Sequence, residues 1–220
     1  MGPAKGLWIK VEPYWESGYM GTTPEPGIAE ALARHLSEGK CFYDAGAHIG
    51  FYSMIAARFV GPTGRVIAFE PDPDNVRVMV DNLAMNALSW VRVVPAAVWS
   101  ADGPMQFERG ADTPSRMAGK IIPHDDLPSN SGSLVSCPAV TLDHLSGSDH
   151  PPNVVKVDVE GGEVAVLHGA RVTIQNHHPI LVIEVHSAQA MPEVRDFLKL
   201  YGYKVETLGD SGEKTHLYCV

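Results

Sequence analysis

CFYDAGAHIGFYSMIAARFVGPTGRVIAFE, residues 41–70, is the stretch whose reading decides the fold. Cys41-Phe42-Tyr43 is a short apolar run that stops at Asp44, and Arg65 to Phe69 is a second that closes on Glu70-Pro71. Between them, Gly46 and Gly50 bracket a turn where the backbone bends sharply and lies close to something, which suits residues without a Cβ. Phe51 to Val60 is apolar enough for a helix packed against a sheet, and Gly61-Pro62-Thr63-Gly64 ends it. The whole is a βαβ unit with a ligand turn at the carboxyl end of its first strand. Glu70 lies twenty positions after Gly50, where nucleotide-binding folds carry the acid that accepts hydrogen bonds from ribose hydroxyls. An α/β packing turn with two exposed carboxylates would also show two glycines. The strand context and the second acid favour nucleoside binding.

The 220 residues suit one domain, or one domain with an appended arm, and a hydrophobic fraction of 45% supports a proper core. No apolar run approaches the ~20 residues that cross a bilayer, so no membrane partner is expected. The opening MGPAKGLWIK lacks the continuous apolar stretch of a signal peptide. Cys41, Cys137 and Cys219 are too few and too scattered for a disulfide framework or a zinc knuckle, which fits a reducing, cytoplasmic setting. A net charge of −9 argues against a nucleic-acid partner.

Residues 1–26 mix Trp8, Tyr14, Trp15 and Tyr19 with glycines and prolines, as an irregular arm or lid would, and the aromatics are read as anchors; the domain itself is expected over 27–220. A helix is expected over Pro26 to Glu38, and another, capped by Asp74, through about Met85. Trp90 to Val94 reads as the third strand, followed by the small residues of Pro95-Ala96-Ala97-Val98, against which a flat adenine could lie. Residues 100–136 read as a β-hairpin excursion with one strand near Pro104 to Phe107 and a mobile loop near Ala111 to Asn130. Asp143 is placed to cap a short helical turn. Asn153 to Val159 is a β-branched strand on which Lys156, Asp158 and Glu160 share one face, with Lys156 read as a structural ion pair. A helix over Glu163 to Arg171, a strand from Pro179 to Val185 leading to His186, a helix over Met191 to Leu200, and a hairpin of Tyr203 to Leu208 with Thr215 to Val220 complete the chain. His177-His178 reads as a solvated turn. Alternation of strands and helices gives a three-layer α/β/α fold, with the ligand at the strand tips carrying Asp44, Glu70, Asp158 and Glu184.

DAGAHIGFYS, FEPDPDN with the later Asn82, TLD, VVKVDVEGGEVAVLHGA and ILVIEVH, in that order, resemble the FkbM family of S-adenosylmethionine-dependent methyltransferases, over roughly residues 40–205. His48 stands where many members carry Asn. The resemblance implies a Rossmann-like class I methyltransferase fold, with a mostly parallel seven-stranded sheet closed by a C-terminal antiparallel hairpin. It also implies O-methylation of a hydroxyl on a small-molecule or sugar-containing acceptor.

The residues suit that chemistry. A methyl donor needs a turn close to its methionine moiety, an acid for its ammonium and an acid for its ribose. Asp44, Gly46, Ala47, His48 and Gly50 offer the first two, Glu70 with Pro71 the third, and Tyr52, Ser53, Ala97 and Asp158 complete the expected cofactor-binding set. The two-glycine turn lacks the third glycine expected of a pyrophosphate site, and S-adenosylmethionine carries no phosphate. An alcohol must lose its proton to attack the sulfonium methyl. His186 is expected as general base with Asp158 and Glu184 orienting it. The same three could instead hold a divalent cation such as Mg2+. A nicotinamide-dependent oxidoreductase and a non-catalytic nucleoside-binding module would share the βαβ unit. The acceptor's identity and the oligomeric state, a homodimer included, are left open.

Overall fold

β1 (Cys41–Ala45), buried at all five residues, lies in the middle of a seven-stranded sheet. β2 (Arg65–Phe69) and β8 (Val154–Val157) flank it in parallel, with Asp44 opposite Ala68 on one side and Lys156 on the other. β3 (Val91–Val94) extends the parallel set beyond β2, and β9 (Ile180–Val185) beyond β8. β11 (Thr215–Cys219) pairs antiparallel with β9, and β10 (Val205–Asp210) antiparallel with β11, giving the order β3-β2-β1-β8-β9-β11-β10. This is the α/β sheet and closing hairpin that the sequence implies. The structure is a computed structural model that describes residues 2–11, 25–108, 120–122, 134–148, 150–210 and 214–220.

Strands covered on both faces explain the near-continuous apolar runs of the sequence. Alternate residues such as Tyr43, Phe69, Val155 and Ile183 enter one layer with α4 (Leu142–Ser148), α5 (Glu163–His168), α6 (Arg171–His177) and α7 (Met191–Leu200). Phe42, Val66, Val154 and Val182 enter the other with α1 (Pro26–His35), α2 (Phe51–Val60) and α3 (Pro73–Met85). Among the described residues no helix is long and apolar enough to cross a membrane.

Three local expectations change. The cap of α3 is Asp72, whose carboxylate accepts from the Asp74 and Asn75 amides, because Pro73 opens the first turn and moves the cap one residue upstream of it. The helix expected over Glu163 to Arg171 is two helices, since Asp143 reaches across to accept from the Val172 and Thr173 amides at 3.0 and 2.7 Å and starts α6 afresh. α6 runs to His177 and His178 closes it in a left-handed conformation, so that pair ends a helix.

The excursion is a second sheet of order β4-β7-β5-β6, more than a hairpin. β5 (Gly103–Glu108) pairs antiparallel with β7 (Leu134–Val140) and with β6 (Lys120–Ile122), while β4 (Ala97–Val98) joins β7 in parallel. Ala97, Phe107, Cys137 and Ala139 form its small core. Apart from β6, the loop expected near Ala111 to Asn130 lies outside the described residues.

The arm, described over 2–11, is anchored by its backbone. Asn86 accepts from the Trp8 amide and donates to its carbonyl, and one turn earlier Asn82 accepts from the Lys10 amide at 2.6 Å. Trp8 itself is 73% exposed, so its ring is not the anchor, and Tyr14, Trp15 and Tyr19 lie outside the described residues.

Candidate active site

The turn after β1 is clamped on three sides. Gly46 has φ 81°, and a Cβ there would lie 1.7 Å from the Asp158 carbonyl oxygen, so only glycine fits. The Gly46 and Ala47 amides donate to the Phe69 carbonyl at the tip of β2, and the Asp158 amide donates to the Ala45 carbonyl. Gly50, at φ 87°, starts α2 where a Cβ would press on Met79 at 2.7 Å. Asp44 is fully buried and accepts from Ser53 Oγ at 2.6 Å. Burial raises its pKa, with Lys156 opposing the rise.

Glu70 closes the turn from the second tip. Its Oε2 accepts from the His48 amide at 2.8 Å, and its Oε1 from the Asp72 amide at 2.9 Å and from Asn75 Nδ2 at 3.3 Å. Burial pushes its carboxyl up to about 7 against these donors. Tyr52 is turned elsewhere: its hydroxyl donates to Glu25 at 2.7 Å and its ring faces Lys156 Nζ. Pro71 follows Glu70, half-buried. Ala97 opens the second sheet and shares its small core with Cys137, whose thiol is pushed up by burial.

Beside this turn lies a row of charges, and strand register places it. On β1, β8, β9 and β11 the residues of the α1–α3 face are apolar until the strand tips, where Asp44, Lys156, Glu184 and His216 take over. Asp44 stands opposite Lys156, and Glu184 opposite His216. Lys156, 2% exposed, lies 3.0 Å from Asp158 Oδ2 and 3.5 Å from Asp44 Oδ1, and it donates to the Gly46 carbonyl at 3.2 Å. It is the structural ion pair read from the sequence. Glu184, equally buried, meets Lys214 Nζ at 2.9 Å and His216 Nε2 at 3.2 Å, and His216 also approaches Glu25 at 3.5 Å. Buried charges are tolerated only with such partners.

His186 sits inside this row. Its Nδ1 bonds Glu163 Oε1 at 2.8 Å; its Nε2 faces Glu184 and Glu160 at 3.4 Å each and Asp158 at 3.5 Å. Burial opposes a charge on the ring, yet Glu160, Glu163 and Glu184 outweigh it and raise the pKa to about 11. A histidine held as imidazolium has no lone pair to receive an acceptor's proton. That environment disfavours His186 as a base in the resting protein. Attraction to Glu184 and Glu25 likewise lifts His216 to about 9. Glu184 is held far below the carboxylate range because His186, His216 and Lys214 outweigh the effect of its burial. Two sets of donor atoms lie within 4.8 Å of one another and could hold a metal ion: Asp158, Glu184 and His186, and Glu25, Glu184 and His216.

The structure thus joins Asp44, Gly46, Ala47, His48, Gly50, Ser53 and Glu70 in one clamp, and Asp158, Glu184 and His186 in a neighbouring cluster that meets it at Gly46 and Lys156. Sequence reasoning missed Glu25, Glu163, Lys214 and His216 as members. Glu163 was visible in the DVEGGE run; the other three join through α1 and the hairpin register, which no local pattern reveals.

The methyltransferase FkbM domain matches residues 44–205. The hexuronic acid methyltransferase AglP of Haloferax volcanii is 29% identical over 176 residues, 79% of this chain and 67% of that protein. The crystal structure of methyltransferase FkbM from Methylobacillus flagellatus KT shares 20% identity at a TM-score of 0.61, covering 84% of this chain and 44% of that one. This chain therefore spans less than half the length of that neighbour. Aeropyrum pernix fibrillarin, solved with bound S-adenosyl-L-methionine, has the same fold at a TM-score of 0.55 and 12% identity, over 88% of this chain and 74% of that one.

Proposed function

The chain belongs to the FkbM methyltransferase family, and from that premise we propose that it transfers a methyl group from S-adenosylmethionine to a hydroxyl of a sugar or sugar-containing small molecule. The observation that carries the proposal is the contact between the two clusters: Gly46 of the donor turn packs on the Asp158 carbonyl, and Lys156 bridges Asp44 to Asp158. A donor in the turn would lie next to the group that must handle the acceptor. The related hexuronic acid methyltransferase supports a sugar acceptor.

In this reading the Gly46-to-Gly50 turn receives the methionine part of the donor and Glu70 the ribose. S-adenosylmethionine supplies an electrophilic methyl on a sulfonium, and the chain's task is alignment and removal of the hydroxyl proton. Asp44, closed in by Ser53 and Lys156, holds the turn and the lysine in place and meets the donor ammonium directly or through water. Asp158, Glu184 and His186 face the acceptor, either drawing its proton or holding a cation that acidifies it.

Titration of the purified chain with S-adenosylhomocysteine and with NAD tests the donor. Binding of the first alone, and transfer of labelled methyl to uronic acid glycosides, are the expected results. Alanine at Asp158, Glu184 and His186 together should abolish transfer. Binding of NAD in place of S-adenosylhomocysteine would overturn the proposal.

A further inference from the structure

The two ring nitrogens of His186 have different surroundings. The side chain is 8% exposed, and Nδ1 is bonded to Glu163 Oε1 at 2.8 Å. Glu163 is itself fully buried, and the Gly161 amide donates to the same oxygen at 2.8 Å, so the carboxylate is fixed. Nε2, by contrast, has no hydrogen-bond partner among the described residues. It faces Glu184 Oε1 and Glu160 Oε2 at 3.4 Å and Asp158 Oδ1 at 3.5 Å. A charge-assisted hydrogen bond would draw one of these oxygens to about 2.8 Å. They stand back instead at the spacing of atoms that share an ion, since ligands about 2.1 Å from a tetrahedral centre lie about 3.4 Å apart. The bond at Nδ1 belongs to the same pattern. Metal-ligating histidines give their second nitrogen to a carboxylate, which fixes the tautomer and aims the other nitrogen at the ion.

We propose that Asp158, Glu184 and His186 bind one divalent cation through Asp158 Oδ1, Glu184 Oε1 and His186 Nε2, with Glu163 as the residue that positions the imidazole. The inference deepens the methyl-transfer proposal and rests on it for the cation's purpose, which is to orient and acidify the acceptor hydroxyl. The ring proton leaves Nε2 as the cation binds. Lys214, whose side chain is 43% exposed, now lies 2.9 Å from Glu184 Oε1, and it has Glu160 at 3.5 Å as a second partner when the ion takes that oxygen. One imidazole with two carboxylates suits Mn2+ or Zn2+ better than Mg2+, which prefers an all-oxygen shell.

The test is titration of the full chain, stripped with chelator, with Mn2+ read by paramagnetic resonance and with Zn2+ by calorimetry. One ion per chain is expected. Glu163→Gln should weaken binding about 10- to 100-fold, and His186→Gln and Asp158→Asn by more, while His186→Gln and Glu163→Gln bind S-adenosylhomocysteine as the parent does, which shows that they fold. Absence of binding by the parent chain, or equal affinity in all three variants, overturns the inference. Methyl transfer that persists in chelator sinks the cation site and leaves the methyltransferase proposal standing. Binding of Mn2+ without binding of S-adenosylhomocysteine does the reverse.

Discussion

The glycine-turn clamp around Asp44 and Glu70 and the cluster of Asp158, Glu184 and His186 both carry buried carboxylates, but they hold them by different means. Glu70 is held by the His48 and Asp72 amides and by Asn75, donors within 22 residues of it, while Asp44 accepts from the Ser53 hydroxyl and shares Lys156 with the cluster. In the cluster, Glu184 is held by Lys214, His216 and His186, and Asp158 by Lys156, charge against charge across β8, β9 and β11. Amide donors are part of the backbone and cannot rearrange without unfolding the turn. Charged side chains can exchange partners. A rigid clamp suits a cofactor that is the same at every turnover, and an exchangeable network suits a site that must gain and lose a proton or an ion.

The largest expected effect comes from breaking the clamp. Gly46→Ala puts a Cβ where the Asp158 carbonyl stands at 1.7 Å and forces a left-handed φ of 81° on alanine. Backbone strain and displacement of Asp158 together should cost at least about 4 kcal/mol in urea denaturation. Binding of S-adenosylhomocysteine should disappear with it. An alanine variant of parental stability would mean that the turn is not rigid.

Lys156 links the two regions. Lys156→Met removes the cation facing both Asp44 and Asp158, and an uncompensated buried carboxylate should cost about 3–5 kcal/mol. Adding Asp44→Asn should restore part of that loss, because it removes one of the stranded charges. If the double variant is no better than the single, Lys156 works by packing against Tyr52 and not by charge.

The same division explains what could be read from the sequence. Residues 41–75 contain a whole substructure whose hydrogen bonds join near neighbours, so spacing alone marked the turn, both acids and the parallel strands. The cap of α3 turned only on the choice between Asp72 and Asp74. Asp143 holding α6 from about 30 residues away, and His216 standing opposite Glu184, depend on pairings between distant segments. Periodicity has no term for those. Glu163 was in plain view, but its role needed the knowledge that His186 lies beside it.

Glu70 sharpens the comparison through pH. Its folded pKa, about 7, lies above the ordinary carboxyl value of 4.5 because it is buried. The folded state therefore binds more protons than the unfolded state between those values, and stability falls as pH rises through that window. The loss is complete above about pH 7 and is worth about 3 kcal/mol. Glu70→Gln should abolish that slope, gaining on the parent as pH rises from 5 to 8. On the proposal that Glu70 receives the ribose, donor affinity should move oppositely in the parent, rising with pH as the carboxylate ionises. A parent and variant that keep the same stability difference at pH 5 and pH 8 would show that the amide donors hold Glu70 ionised throughout.

The smallest effect concerns the N-terminal region, which touches both halves: Trp8 and Lys10 are held on α3, while Glu25 accepts from Tyr52 and faces His216. Asn86→Ala removes the side chain that both accepts from and donates to Trp8, a pair of bonds at an exposed position. Each such bond contributes about 0.5–1.5 kcal/mol, so the arm should loosen without unfolding the domain. Limited proteolysis should cut within residues 2–11 faster in the variant, with S-adenosylhomocysteine affinity unchanged. Glu25→Gln should do the opposite, leaving the arm protected while altering turnover through His216 and Glu184. If Asn86→Ala also lowers donor affinity, the arm is part of the clamp and the boundary between the two regions lies further toward the amino terminus.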